Sequence, residues 1–322
     1  MKRTLLTGAS GFVGANLARR LLADGQEVHL LMRPAYQPWR IHEIKPHVQI
    51  HEIDMLDSAA LDRLVSQIRP DWVFHLAAHG AYSWQDDLKS ILNTNLHSTI
   101  HLVNACLRSG VEAFIHAGSS SEYGIKDHAP CEKEAPEPNS DYAVAKAAAT
   151  MYCQFVARRD TAPITTLRLY SAYGPYEEPQ RLIPKLLMHG LRGGYPPLVA
   201  PDIARDYVHV DDVVEAFILA AIYATKNPGA IYNIGSGRQT TLSEAVASVR
   251  QVLSIAAEPV WGSMPSRKWD ATVWVARPDL ALKEIGWAAT LPFASGFKQT
   301  VDWFLGKPAL LELYSKSTLP PP

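Results

Sequence analysis

The run Leu5-Leu6-Thr7-Gly8-Ala9-Ser10-Gly11-Phe12-Val13-Gly14 places three glycines directly after a short β-rich segment and directly before an amphipathic one. A chain that turns from strand to helix on glycines leaves the helix N-terminus bare, so its backbone N–H groups and its dipole are open to an anion. In a parallel α/β sheet this is the turn that receives a dinucleotide pyrophosphate. The spacing is GxxGxxG, one residue longer than the usual fingerprint, and a lone glycine triplet also describes an ordinary tight turn. Context must decide between the two.

The context is an alternation of β-rich and amphipathic stretches. The predicted elements are Arg3–Thr7, Phe12–Ala23, Glu27–Met32, Val48–Ile53, Ala59–Ile68, Trp72–Leu76, Leu88–Arg108 and Ala113–Ala117. A helix over Asp141–Arg159 and a strand over Ile164–Tyr170 follow. Such alternation predicts an α/β fold: a doubly wound parallel Rossmann sheet with helices on both faces. Beyond it the pattern loosens, and prolines at 175, 179, 184, 196, 197 and 201 read as loops of a smaller mixed α/β substrate-binding lobe. The expected division is residues 1–170 as the dinucleotide-binding domain, with 207–235 returning to it, and 171–206 with 236–322 as the lobe. Later helices are expected at Asp211–Ala224, Leu242–Leu253 and Phe293–Phe304, a strand at Ile231–Ile234, and a loose tail from Ser317 to Pro322.

Composition removes other classes. With 47% hydrophobic residues and a formal charge of −1, the chain can bury a large core and has no overall attraction for nucleic acid or anionic lipid. No segment approaches the roughly 18 continuous apolar residues that span a membrane. Cys106, Cys131 and Cys153 are an odd count without metal-ligand spacing, so reduced thiols in a cytoplasmic protein are expected, with no metal and no disulfide.

Tyr142 and Lys146 stand four residues apart in Asp-Tyr-Ala-Val-Ala-Lys, on one helix face. Lowering a tyrosine from its usual pKa of about 10 to about 7 takes roughly 4 kcal/mol of preferential stabilisation of the phenolate. A nearby ammonium could supply part of that, making Tyr142 a proton carrier during hydride transfer. YxxxK is a cheap motif in a chain with 13 tyrosines. What lifts it is position, after the fifth predicted strand, whose end carries Gly118-Ser119-Ser120-Ser121 where such sheets place their ligands. Ser119 could donate to the same substrate oxygen.

With these residues in hand, the sequence resembles the extended short-chain dehydrogenase/reductase family, in its nucleotide-sugar epimerase, dehydratase and reductase group. The resemblance is carried by Thr7–Gly14, Asp54-Met55, His75 through Ala78, Asn95, Ser119 through Gly124, Tyr142 with Lys146, Arg168 through Pro175, and Arg205 through Asp212. Arg267 through Asp270 and Leu282 through Trp287 extend it. It implies that Gly8, Ser10, Gly11, Phe12, Val13 and Gly14 hold the cofactor phosphates and that Asp54 and Met55 lie along the adenine. By the same resemblance Leu76, Ala77 and Ala78 line the cofactor cleft, Asn95 supports the fourth helix, and Lys146 binds the nicotinamide ribose. Ser119 and Tyr142 would face the sugar, with Arg205, Arg267 and Asp270 on the nucleotide phosphates and ribose. His79, Ser120, Ser121, Ser171 and Arg181 complete the expected substrate side. The family commonly dimerises by packing two helices per subunit, here Leu88–Arg108 and Asp141–Arg159, into a four-helix bundle, so a homodimer is expected.

Arg33 ends the second predicted strand where an NAD-selective site usually carries an acid, which points to NADP ahead of NAD. That in turn favours net reduction of a 4-keto sugar on a nucleotide diphosphate, with NAD-dependent 4-epimerisation as the alternative. A 4,6-dehydratase needs a further acid in the serine loop; that position is Ser121, although Glu122 stands next to it. A dehydrogenase of non-sugar alcohols and a dinucleotide-binding sensor without chemistry rank behind these.

Overall fold

The computed structural model describes residues 1–265 and 271–318. Its strands are β1 (Arg3–Thr7), β2 (Glu27–Met32), β3 (Gln49–Glu52), β4 (Trp72–His75), β5 (Ala113–Ser119), β6 (Ile164–Leu169), β7 (Ser171–Tyr173), β8 (Ala204–Arg205), β9 (Tyr207–His209), β10 (Ile231–Ile234) and β11 (Thr240–Thr241). Its α-helices are α1 (Phe12–Ala23), α2 (Ser58–Ile68), α3 (Leu88–Leu92), α4 (Ser98–Ser109), α5 (Asp141–Asp160), α6 (Leu182–Gly190), α7 (Val210–Tyr223), α8 (Leu242–Leu253), α9 (Asp279–Ile285), α10 (Phe293–Leu305) and α11 (Pro308–Thr318).

β5 is buried at every residue, as a strand covered on both faces must be. It lies inside a seven-stranded sheet of order β10-β6-β5-β4-β1-β2-β3, every pair of which is parallel. On one face α1, α7 and α9 pack Leu17, Phe217 and Ile285 into a core with Leu6 and Phe74. On the other, α2, α4 and α5 pack Leu61, Leu102 and Val156 against Leu5, Val73 and Phe114. Chain order reverses between β1 and β4, which opens a crevice at their C-terminal ends. A third apolar cluster joins α6, α8, α10 and α11 through Leu186, Val246, Phe297 and Tyr314. Two short pairs lie outside the main sheet: β7 with β9, parallel, and β8 with β11, antiparallel.

Several expectations need correction. The predicted single helix Leu88–Arg108 is broken by a π-helical turn at Asn93–His97 between α3 and α4. Within the proline-rich stretch read as loops, α6 forms with Pro184 in its first turn, where the missing N–H costs no helical hydrogen bond. α9 and α11 were not expected, and α11 carries Ser317 and Thr318 into helix rather than tail. Among the described residues no helix is long and apolar enough to cross a membrane.

Candidate active site

The glycine turn is built by close backbone approach. Gly8 has φ of 76°, and a Cβ there would lie 2.6 Å from the Ala77 nitrogen, so the turn is pressed against the chain leaving β4. A Cβ on Gly14 would fall 2.3 Å from the Gly8 carbonyl oxygen, which leaves room for glycine alone. Gly11 caps α1 with no side chain on its first-turn N–H groups. This cradle fits a dinucleotide pyrophosphate: the N–H groups are available and no side chain stands between them and a phosphate. Thr7 fixes the neighbouring segment, its hydroxyl 2.7 Å from His75 Nδ1 and accepting from the Leu76 and Ala77 amides at 3.2 and 3.1 Å. Ser10, Phe12 and Val13 are half-buried along the turn.

The segment after β4 links this cradle to the tyrosine. Gly8 touches it at Leu76 and Ala77; at its far end a Cβ on Gly80 would lie 3.4 Å from the Tyr142 Cβ. Asn95, in the π-helical turn, holds the segment in place: Oδ1 accepts from the His79 amide at 3.2 Å, while Nδ2 donates to the carbonyls of His79 and Ile91 at 2.6 and 2.9 Å. The segment from Leu76 to Gly80 therefore runs from the glycine turn to the first turn of α5.

Ser140 caps α5, accepting from the Ala143 amide, which sets Tyr142 in the first turn and Lys146 one turn on. Lys146 is buried and its ammonium donates to the Ala117 carbonyl of β5 at 2.5 Å. Burial lowers Lys146 to about 8, opposed by Glu122. Tyr142 is pushed up to about 12 by burial; a hydrogen bond with Ser119 and the charge of Arg181 oppose the rise, and Glu122 and Tyr82 add to it. The acidification expected from the neighbouring ammonium is thus not what dominates in the protein itself. Ser119 caps the turn Ser120–Tyr123, accepting from the Ser121 amide at 3.2 Å. Ser120 is buried and Ser121 half-buried beside it.

Glu122 is spoken for. It is fully buried, and Oε1 accepts from the Ser119 amide at 2.8 Å and the Thr150 hydroxyl at 3.0 Å, while Oε2 pairs with Arg168 Nε at 2.8 Å. Arg168 also lies over the Tyr123 ring at 4.4 Å. This carboxylate fastens the serine loop to β6, with both oxygens occupied by Ser119, Thr150 and Arg168.

On the lobe side, Arg181 caps α6, lies 6.0 Å from the Tyr82 ring centre, and electrostatically favours ionisation of Tyr142, Tyr82 and Tyr207. Arg205 sits on β8 with its guanidinium over Trp274 at 5.6 Å and one N–H on the Ala204 carbonyl at 2.7 Å. Its charge also bears on Tyr207. Ser171 begins β7, its amide donating to the Asp206 carbonyl. Arg33 is exposed at the end of β2, and Asp54 spends Oδ1 on the Leu56 amide at 2.9 Å, with Met55 half-buried next to it. Arg267 and Asp270 lie outside the described residues. Sequence reasoning did not assign Tyr82, Tyr207 or Glu177 to the site, although the charge of Arg181 reaches all three; of them only Glu177, four residues before Arg181, has a spacing that could have suggested the contact.

A parallel sheet with this crevice, a glycine cradle and a serine–tyrosine–lysine group defines a dinucleotide-dependent oxidoreductase-type site. The chain matches the NAD dependent epimerase/dehydratase family over residues 4–235 and belongs to it. It is 29% identical to a UDP-glucose 4-epimerase of Mycolicibacterium smegmatis over 95% of this chain and 99% of that one. A dTDP-glucose 4,6-dehydratase of Streptomyces griseus is 27% identical over 93% of both chains. The crystal structure of the UDP-glucose 4-epimerase of Thermus thermophilus in complex with NAD superposes with a TM-score of 0.83, at 29% identity over 95% of this chain and 99% of that one.

Proposed function

We propose that this protein is a nucleotide-sugar 4-epimerase that works with a retained NAD, acting on a UDP-linked hexose. The observation that carries this reading is the state of the serine loop: Glu122 is locked to Arg168, Thr150 and the Ser119 amide, which leaves Tyr142, with Ser119 acting on its ionisation, as the group placed to carry a proton. Dehydration across C5 and C6 needs a second proton carrier. With Ser121 at that position and Glu122 consumed, the site offers one proton carrier, which suits removal and return of hydrogen at a single carbon. The similar 4-epimerases favour this over net reduction of a keto sugar. The exposed side chain of Arg33 adds no support for NADP.

In this reading Gly8, Gly11 and Gly14 seat the pyrophosphate and Lys146 anchors the nicotinamide ribose. When bound, NAD supplies a hydride acceptor beside C4 and a positive ring that favours the Tyr142 phenolate. Tyr142 takes the C4 hydroxyl proton and later gives it back, Ser119 donates to the same oxygen, and Arg181 and Arg205 take the diphosphate. With NAD held in the cradle, hydrogen would leave C4 and come back to either face with no net change of the cofactor, while Tyr142 and Ser119 serve the C4 oxygen.

A second copy of the chain completes the assembly. Val144, Met151 and Phe155 project from α5 at 47, 63 and 57% exposure, an apolar stripe suited to self-association through α4 and α5.

The test is to incubate the purified protein with UDP-glucose and related UDP-sugars without added nicotinamide, and to release and identify its cofactor. Interconversion of C4 epimers with NAD bound about one per chain is expected. Stoichiometric oxidation of added NADPH with a 4-keto sugar, and no epimer, would overturn the reading in favour of a reductase.

A further inference from the structure

Glu177 lies in the turn between β7 and α6, 4% exposed, and its Oε2 has no hydrogen-bond partner. Oε1 has Arg181 Nε at 3.7 Å, beyond hydrogen-bond reach. The surrounding elements bring neutral phenols to it: Tyr173 from β7, Tyr207 from β9, Tyr82 from the loop after β4, and Tyr314 from α11, whose hydroxyl donates to the Glu177 carbonyl. Glu178, next in the chain, is paired with Arg40 at 3.0 Å. An anion here would lose its hydration and keep only the loose approach of Arg181 and the Gly174 backbone, with Glu178 repelling it, so the neutral acid is the form this place accepts. Burial, opposed by Arg181, pushes the carboxyl up to about 8.

We propose that Glu177 is a positioning residue for Arg181: as a neutral acid behind the guanidinium it supports that side chain at the cleft wall without neutralising it, and so keeps the positive charge for the substrate diphosphate. The inference rests on the reading of Arg181 as a diphosphate contact. If Glu177 ionises, the 3.7 Å approach becomes an ion pair and Arg181 is drawn from its task. The arrangement thus makes substrate affinity depend on the protonation of a group that never touches substrate.

The experiment titrates NAD-loaded protein with UDP by calorimetry at about pH 7 and about pH 9, on either side of the Glu177 transition. Wild type is expected to lose roughly tenfold in affinity, Glu177→Gln little, and Arg181→Ala to bind weakly at both values. Lys146, lowered to about 8, is common to wild type and Glu177→Gln and drops out of their comparison. An equal loss in both overturns the role of Glu177 and leaves Arg181 standing, as does a wild-type affinity that ignores pH. Unchanged UDP binding in Arg181→Ala overturns the reading of Arg181 and the proposal with it. Thermal unfolding supplies a readout without ligand. An acid raised by folding makes the native state hold a proton that the unfolded chain releases, so wild-type stability falls between about pH 4.5 and about pH 8. The melting temperature of Glu177→Gln relative to wild type should therefore climb across that window and level off above it; a flat difference overturns the buried acid.

Discussion

In the proposed reaction Tyr142 gives up a proton in surroundings that oppose negative charge. Burial raises it to about 12 and Glu122 adds to the rise, so Ser119 and Arg181 work against the larger influence. Substituting Tyr142→Phe removes the proton carrier and leaves the packing; the expected result is a fall in kcat of about 10² to 10⁴ with UDP affinity retained, measured by epimer formation and calorimetry. Glu122 carries a different burden. Replacing it with Gln leaves Arg168 buried against an amide, so a loss of about 3 to 5 kcal/mol in denaturant unfolding is expected, where a catalytic acid would cost activity alone. The difference between these residues was only half legible beforehand. Tyr142 and Lys146 could be paired from their spacing, because one helix puts them on one face. Glu122 meets Arg168 across 46 residues, through the pairing of β5 with β6, and no local pattern announces that. Glu177 and Arg181 do have helical spacing, but the pair resembles a solvated surface contact until the fold buries Glu177.

The elements read correctly were those whose apolar period matches their burial. β2 and β10 have the bounds expected from their apolar runs, and α1 those expected from its amphipathic stripe. The π-helical turn Asn93–His97 was hidden because one extra residue in a long amphipathic run barely disturbs the apolar stripe. Its cause is tertiary: Asn95 turns inward to bind both backbone groups of His79, which it could not do from a regular position on the outer face. Asn95→Ala leaves the part-buried His79 amide without its acceptor, and the expected cost is about 1 kcal/mol or somewhat more in stability. Because the freed segment Leu76–Gly80 also forms the wall between Gly8 and Tyr142, NAD should dissociate faster from the variant. Fluorescence displacement of the cofactor measures this; an unchanged off-rate would mean that Asn95 serves the helix and not the crevice. α6 was lost to a different signal, its proline, which is costly in a helix interior and harmless in a first turn.

For the molecule as a whole, the parallel sheet was legible from the alternation of its segments, whereas the lobe was legible only in part: α8 and α10 form where expected, but its core also needs α6 and α11, which no regular pattern announces. The surface of α5 poses the remaining question. Its inner side packs Ala149, Cys153 and Val156 against the sheet, and its outer side carries Val144, Met151 and Phe155 into solvent. Covering a side chain such as Phe155 or Met151 completely is worth about 1.5 to 3 kcal/mol, so leaving both open forgoes a large stabilisation. A two-fold pairing through α5 would recover it twice, since each subunit would present the same stripe to its copy. Phe155→Glu and Met151→Glu together place four carboxylates in that apolar stripe, two from each chain, with Arg159, which lies over the Phe155 ring at 5.3 Å and is already paired with Asp160, as the neighbouring cation. The wild type should sediment as a dimer at micromolar concentration, and the double variant as a monomer with its dimer dissociation constant raised by at least about a hundredfold. Because neither residue reaches the crevice, the monomer should still bind NAD; a double variant that remains dimeric would place self-association on another surface.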